Sequence, residues 1–242
     1  MNPRHFIRGL LRRRGYDLGR WALENDPRER RRRLLAAAGI DLVLDVGANE
    51  GQYAGELRRL GYEGDVVSFE PIAEVCERLR AHRAGDARWQ LRPFALGSAD
   101  GTASIQVGAQ SATSSLLAPS EYLVRQAAGA RSVRTETVRV ARLDGVFEAG
   151  WEGRRIWLKL DTQGFEQEVL RGAEASLPKV TILQLELSLR PLYVGEPGFL
   201  EVAGGLAGRG FDLVGLEPGL AEDATGRLLQ SDVLFARRGV FA

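Results

Sequence analysis

Short apolar runs alternate with helix-like stretches along most of this chain, which predicts an open α/β sheet. The clearest run is Leu-Val-Leu-Asp-Val at 42–46, whose apolar residues are continuous rather than alternating, as in a parallel strand buried on both faces. Further strand-like runs lie at 65–70, 89–94, 156–161, 180–187, 211–216 and 233–236. Helical patterns lie at 27–38, 52–60, 73–82 and 164–172. The turn residues between the last two runs predict an antiparallel hairpin at the sheet edge.

Residues 98–145 interrupt this alternation. Segments 101–107 and 133–140 have strand character, and a Ser-rich stretch and a short helix at 120–127 lie between them. An insertion this long at the ligand end of a sheet is typical of a lid or substrate wall, and a flexible polar loop is the alternative. Its candidate hydroxyl contacts are Ser111, Thr113, Ser114 and Ser115.

Charge separates the first 40 residues from the rest. They hold 11 arginines against four acids, a surplus of +7, whereas the remainder sums to −6. We therefore divide the chain into an Arg-rich helical appendage, 1–40, and a catalytic domain, 41–242. Segment 4–14 has an apolar helical face ringed by arginines. This helix either packs on the domain or rests on an anionic membrane surface or polyanionic substrate.

A second helix is predicted to begin at Asp26, which can cap it, with Pro27 in the first turn. Its arginine run, 30–33, is expected to be a solvated face.

The single cysteine, Cys76, excludes an internal disulfide and a cysteine metal cluster, and two histidines are too few for a His-rich metal site. No apolar run approaches the roughly 20 residues of a membrane helix. We expect a cytoplasmic protein, and a homodimer is compatible with the sequence.

The loop after the first strand indicates which nucleotide the sheet binds. Gly47 and Gly51 allow a tight turn before a helix whose N-terminus faces the ligand crevice. A dinucleotide site requires Gly-x-Gly-x-x-Gly, but Asn49 and Gln52 occupy two of the three glycine positions. Asp45, at the strand end, suits an ammonium group and repels phosphate. S-adenosylmethionine combines an ammonium, a ribose and an adenine, so we favour it as the cofactor.

Three further charged residues stand at strand ends. Glu70 follows Gly51 by 19 residues, near the roughly 20-residue spacing at which an acid binds ribose hydroxyls, the alternative being a cap for the next helix. Lys159 and Asp161 lie on one side of the 156–161 strand. We predict Asp161 as the base that accepts a hydroxyl proton and Lys159 as the group that orients it, the alternative being a structural ion pair.

Glu166 and Glu186 are further candidates for the base. A divalent metal is a separate hypothesis, in which Asp161, Glu166 and Glu186 offer oxygen ligands to Mg²⁺.

Seven blocks occur in order that resemble the FkbM-type S-adenosylmethionine-dependent methyltransferases. They are 45–51, 69–71, 95–97, 114–116, 159–166, 169–173 and 232–235. The resemblance implies a doubly wound, mostly parallel seven-stranded sheet of the Rossmann-like class I type, and methyl transfer to a hydroxyl of a sugar, glycan, lipid or polyketide-type acceptor. The family has Val-Glu-Gly where this sequence has Thr162-Gln163-Gly164, so no carboxylate stands at position 163.

Residue patterns and resemblance together give the candidate site. The candidate cofactor-binding residues are Asp45, Gly47, Asn49, Gly51, Glu70, Pro71, Ala95 and Leu96. The candidate catalytic residues are Asp161, Lys159 and Glu166. The alternatives are a nicotinamide-dependent oxidoreductase and a catalytically inactive binding protein with a nucleotide fold. A nucleic-acid methyltransferase is a weaker alternative, because the catalytic half is acidic, so we expect no nucleic-acid partner.

Overall fold

Residues 26–241 are the part of the chain that the computed structural model describes, and strands and helices alternate along it. The strands are β1 (Leu42–Val46), β2 (Asp65–Phe69), β3 (Trp89–Arg92), β4 (Ala95–Leu96), β5 (Gly101–Gly108), β6 (Ser132–Ala141), β7 (Ile156–Leu160), β8 (Val180–Ser188), β9 (Phe211–Pro218) and β10 (Gln230–Arg237). The helices are α1 (Pro27–Ala37), α2 (Gln52–Arg59), α3 (Ala73–His82), α4 (Glu121–Gln126), α5 (Leu143–Val146), α6 (Glu166–Arg171) and α7 (Phe199–Gly208).

Seven strands form the main sheet in the order β3-β2-β1-β7-β8-β10-β9. The pairs from β3 through β8 are parallel, and β10 is antiparallel to both β8 and β9. The predicted seven-stranded, mostly parallel sheet with an antiparallel hairpin at its edge is therefore confirmed. From β1 the chain adds β2 and β3 toward one edge of the sheet, and from β7 it adds the remaining strands toward the other edge. The carboxyl ends of β1 and β7 thus form the switch point where such sheets bind ligands.

Burial on both faces explains the continuous apolar sequence of the central strands. Every residue of β1 and β7 is buried. Leu42, Leu44 and Val46 pack on the face covered by α5, α6 and α7, whereas Val43 packs with residues of α1, α2 and α3 on the other face. The two helical layers leave the carboxyl edge of the sheet as the place for a site.

Two elements differ from the sequence prediction. The predicted strand at 89–94 ends at Arg92, as β3 of the main sheet. Pro93 follows, and proline lacks the N–H that would continue the ladder. Beyond the predicted strand, β4 pairs with β6 in a separate three-stranded sheet, β4-β6-β5. Helix α7 has no counterpart in the prediction. Its interior glycines, among them Gly204 and Gly205, lower helix propensity and hide the pattern.

Helix α1, in the segment predicted as an appendage, packs on the domain, since Leu35 is buried in the same core cluster as Val43. Asp26 caps it as predicted, its Oδ1 accepting from the Glu29 N–H at 3.1 Å. The prediction that 30–33 is a solvated face is wrong for Arg31, which is buried and forms 2.7 Å ion pairs with Glu56 and Glu217. The predicted helix at 4–14 lies outside the described residues. No helix in the described part of the chain is long and apolar enough to span a membrane.

Candidate active site

The loops after β1 and β7 meet at Gly47. Its φ is +76°, and a Cβ on this residue would lie 1.9 Å from the backbone oxygen of Asp161. The Asp161 N–H donates to the Val46 oxygen at 3.0 Å, so the two loops are also hydrogen-bonded. Only glycine fits this contact. Gly51, with φ +85°, packs instead beneath the Trp89 ring.

A first cavity lies above the carboxyl ends of β1 and β2 and has a volume of about 540 Å³. Its lining includes six of the eight candidate cofactor-binding residues: Gly47, Asn49, Glu70, Pro71, Ala95 and Leu96. Apolar side chains form much of the remainder, among them Phe69, Ile72, Ile105, Leu116 and Phe165. The cavity thus combines an apolar slot with two carboxylates, those of Glu70 and Asp161.

Glu70 is held by backbone donors at the edge of this cavity. One carboxylate oxygen accepts from the Asn49 N–H at 3.0 Å and the other from the Ile72 N–H at 2.9 Å, just before α3. Burial raises the pKa of Glu70 to about 7, although the two backbone donors oppose the shift. Glu70 does not cap α3 itself, because its bond is to Ile72, the residue before the helix, and no side chain caps the helix. Each oxygen keeps a second lone pair for a ligand.

The insertion closes the cavity from above. Ser111, Ser114 and Ser115 line it, whereas Thr113 turns to the backbone oxygens of Gln110 and Gly129. The Ser111 hydroxyl donates to Asn49 Oδ1 at 2.9 Å. The Ser115 hydroxyl donates to the Gln163 backbone oxygen at 2.7 Å. The insertion is thus bonded to both loops at the switch point.

Asp45 differs from its predicted role. It is wholly buried and does not line the first cavity. Its Oδ1 lies 3.3 Å from Lys159 Nζ, directly across the β1–β7 ladder, and Oδ2 accepts from the Ser68 hydroxyl at 3.3 Å. The expected direct contact with a ligand ammonium is therefore wrong, because Asp45 already faces the ammonium of Lys159.

Lys159 lies between two carboxylates. Besides Asp45, its Nζ donates to Asp161 Oδ2 at 3.2 Å. Although burial opposes the shift, Asp161 and Asp45 raise the pKa of Lys159. Lys159 therefore stays protonated and fixes one oxygen of Asp161.

Gln163 fixes the other oxygen of Asp161, and sequence reasoning did not assign it a role. Its amide nitrogen donates to Asp161 Oδ1 at 2.8 Å and to the Glu186 carboxylate. The Tyr193 hydroxyl donates to the Gln163 side-chain oxygen at 2.7 Å. Gln163 also has φ +57°, a conformation that costs a non-glycine residue energy. Only an amide can donate to two acids and accept from a phenol at once.

Glu166 does not line the first cavity. Its Oε1 accepts from the Thr162 N–H at 2.7 Å and from the Thr162 hydroxyl at 3.0 Å, which braces the loop after β7. Burial raises its pKa to about 8. The prediction of Glu166 as a catalytic candidate is therefore corrected to a structural role.

The Mg²⁺ hypothesis receives no support from residues 26–241. Within that range, no group of three or more His, Cys, Asp or Glu side chains could hold a metal ion. The hydrogen bonds of the three proposed ligands explain this result. Glu166 accepts from Thr162, and the Gln163 amide lies between the carboxylates of Asp161 and Glu186.

A second cavity, of about 800 Å³, opens on the other side of Asp161. It shares Gly47, Asn49, Ala112 and Asp161 with the first cavity. The rest of its lining is mostly polar: Arg31, Ala48, Gln52, Tyr53, Glu56, Lys159, Gln184 and Asp232. Asp161 thus stands on the wall between an apolar and a polar space.

A family model and a known methyltransferase each match more than half of this chain. The model of the FkbM methyltransferase domain matches residues 45–213. The 2-O-methyltransferase NoeI of Sinorhizobium fredii is 27% identical over 167 residues, which are 64% of this chain and 66% of that protein. The match thus spans just under two thirds of that relative's length.

Solved structures resemble the fold. An rRNA methylase from Streptococcus thermophilus is 13% identical with a TM-score of 0.50, covering 89% of this chain and 99% of that one. The methyltransferase domain of bacterial CtHen1 is 11% identical with a TM-score of 0.47, covering 87% and 96%. At 13% identity, the likeness to the rRNA methylase concerns the fold and not the substrate.

Proposed function

This chain belongs to the FkbM methyltransferase family, and we propose that it is an S-adenosylmethionine-dependent O-methyltransferase acting on a hydroxyl of a sugar, glycan or polyketide-type acceptor. The observation that carries the proposal is the position of Asp161. Its carboxylate lies on the wall between the two cavities, with one oxygen held by Lys159 and the other by Gln163.

The first cavity is the proposed donor site. Glu70 can accept hydrogen bonds from both hydroxyls of a ribose, since each carboxylate oxygen has a free lone pair. The apolar side chains of Ile72, Leu96 and Leu116 suit an adenine ring. Gly47 lines this cavity without a side chain, which leaves the backbone open to the rest of the donor.

S-adenosylmethionine supplies a methyl group on a positively charged sulfur. With the donor bound, an acceptor alcohol would attack this methyl group in line, the carbon–oxygen bond forming as the carbon–sulfur bond breaks. Asp161 would accept the hydroxyl proton, which makes the oxygen a better nucleophile. Lys159 and Gln163 hold Asp161 in one orientation, and this alignment contributes a large part of the rate.

The test separates donor binding from chemistry. Calorimetry measures S-adenosylmethionine affinity, and a labelled-methyl screen over glycosides and macrolide alcohols measures turnover. We expect Asp161→Asn to bind the donor normally and to lose about 10²- to 10⁴-fold in turnover, the usual contribution of a general base. Asp212→Asn, an exposed aspartate on β9, is the matched control.

Full turnover by Asp161→Asn would show that Asp161 at most positions the acceptor and does not act as the base. A wild-type chain that binds a nicotinamide dinucleotide but not S-adenosylmethionine would overturn the proposal in favour of an oxidoreductase.

A further inference from the structure

We infer that the second cavity is the acceptor site, and that it selects a neutral, polyhydroxylated molecule of the saccharide class. The inference rests on the proposed methyl transfer. With the donor in the first cavity, the acceptor hydroxyl has to reach Asp161 from another side. The second cavity is the space that opens there, since the serines of the insertion cover the first.

Hydrogen-bonding groups form the floor of this cavity. Lys159 and Gln184 stand opposite each other on the β7–β8 ladder. The Gln184 amide nitrogen donates to Asp232 Oδ1 at 2.9 Å, and the Tyr53 hydroxyl donates to Gln184 Oε1 at 2.8 Å. An acceptor that fills this space meets amides, carboxylates and a phenol. These groups are already bonded to one another, but each keeps a further lone pair or N–H. A molecule with several hydroxyls can satisfy these remaining donors and acceptors, whereas an apolar molecule leaves them unpaired.

The charges of the cavity argue against an anionic acceptor. Arg31 is bonded to Glu56 and Glu217, each at 2.7 Å. Lys159 lies 3.3 Å from Asp45 and 3.2 Å from Asp161. Both cations are therefore already neutralised by carboxylates, and Asp232 adds a further acid to the lining. A phosphate or carboxylate would approach these acids without gaining a free cation.

Elements that the first cavity does not use supply part of the wall. Arg31 lies on α1 and Asp232 lies on β10. The first cavity, by contrast, is lined entirely by residues between Val46 and Phe165. Acceptor choice is thus assigned to Asp232 and Arg31, which the donor does not need.

The first experiment uses Asp232→Asn in the full chain. Asparagine keeps the size of the side chain and an oxygen for the Gln184 amide. We expect the KM for a neutral methyl glycoside to rise about tenfold, as for loss of a hydrogen bond to a charged group. The kcat is expected to change less, and S-adenosylmethionine affinity is expected to stay unchanged. Asp212→Asn should change none of these quantities.

The second experiment compares acceptors in the labelled-methyl assay. The probes are methyl glycosides of neutral hexoses, the matching hexuronic acids and hexose phosphates, and a short RNA. We expect neutral glycosides to be methylated at least about tenfold better than their anionic counterparts, since uncompensated charge repulsion opposes binding.

Three outcomes would overturn the inference: preference for the anionic sugars or RNA, no methylation of any neutral glycoside by a chain that binds S-adenosylmethionine, or weaker donor binding in Asp232→Asn. The last would show that the second cavity holds part of the donor. Failure of the wild-type chain to bind S-adenosylmethionine is a separate result, which overturns the proposed function and this inference with it.

Discussion

The two cavities on either side of Asp161 are built in different ways. The first is lined by loops at the ends of neighbouring strands and by the insertion that closes over them. The second is lined by side chains from two helices and three strands, and its members are as far apart in sequence as Arg31 and Asp232. The lining of the first cavity follows largely from local sequence, whereas the lining of the second depends on tertiary packing.

This difference separates what the fold fixes from what can vary. At the first cavity, backbone groups hold the Glu70 carboxylate, and Gly47 lets the loops after β1 and β7 meet. At the second cavity, side chains bond mostly to other side chains. Substitutions at the second cavity therefore act mainly through side-chain contacts, whereas a change at Gly47 or Glu70 disturbs backbone contacts.

Gly47→Ala is expected to have the largest effect, because Gly47 lines both cavities. Its Cβ would lie 1.9 Å from the Asp161 backbone oxygen, so the loops after β1 and β7 would have to separate. A positive φ alone costs about 1 kcal/mol or more for a non-glycine residue, and this overlap adds to it. We expect loss of measurable S-adenosylmethionine binding in calorimetry and a lower unfolding temperature.

The control is Gly61→Ala. Gly61 also has a positive φ, +84°, but a Cβ there would have nothing within 4 Å. It should lose stability through the backbone alone and keep donor affinity. Equal loss of donor affinity in both variants would show that the contact between the two loops is not what shapes the site.

Sequence reasoning recovered the parts of the molecule that local rules determine. The buried strands β1 and β7 have continuous apolar runs, and Gly47 and Glu70 stand where strand ends need a glycine and an acid. The end of β3 before Pro93 also follows from a local rule, because proline lacks the N–H that a strand ladder needs. The second sheet does not, because β4 pairs in it with β6, which is far along the chain.

The rest of the site depends on contacts that spacing does not reveal. The Arg31 guanidinium bonds to Glu217, which is 186 residues away, so a run of arginines on a helix gave no sign of burial. The role of Gln163 comes from Glu186 and Tyr193, which meet it only after folding. Asp45 was assigned to a ligand because its partner, Lys159, lies on a strand that is distant in sequence.

Gln163→Glu tests whether Asp161 needs its amide partner, and a smaller effect is expected. The change places a carboxylate beside those of Asp161 and Glu186 and removes the donor that joins them. Turnover should fall about tenfold or more, as for a broken hydrogen bond to a charged group. Donor affinity should change less.

The loss of stability in Gln163→Glu should depend on pH. A carboxyl group in this acidic, half-buried place has a folded-state pKa above its unfolded value, so the folded state holds the proton more tightly. The unfolding temperature should therefore fall, relative to wild type, from about pH 5 to about pH 8. Gln90→Glu on β3 is the exposed control. A pH-independent loss would point to packing rather than charge.

Glu70→Gln should affect the first cavity alone, with the smallest effect of the three. The new amide keeps one acceptor oxygen but presents N–H groups to a backbone donor, so one of the bonds from Asn49 and Ile72 is lost. Donor affinity at pH 8 should fall about tenfold, and the acceptor KM should stay unchanged at saturating donor. A matching rise in the acceptor KM would contradict the separation of the two cavities.

The pH dependence of donor binding is the sharper measurement on Glu70. Its pKa is raised to about 7 by burial, and a ribose diol donates to the ionised form. Below about pH 7 the donor must displace a proton, so wild-type affinity should fall as the pH is lowered from about 8 to about 6. Glu70→Gln cannot ionise and should lose this dependence, whereas the exposed control Glu63→Gln should keep it. An unaltered slope in Glu70→Gln would mean that another acid at the switch point binds the donor.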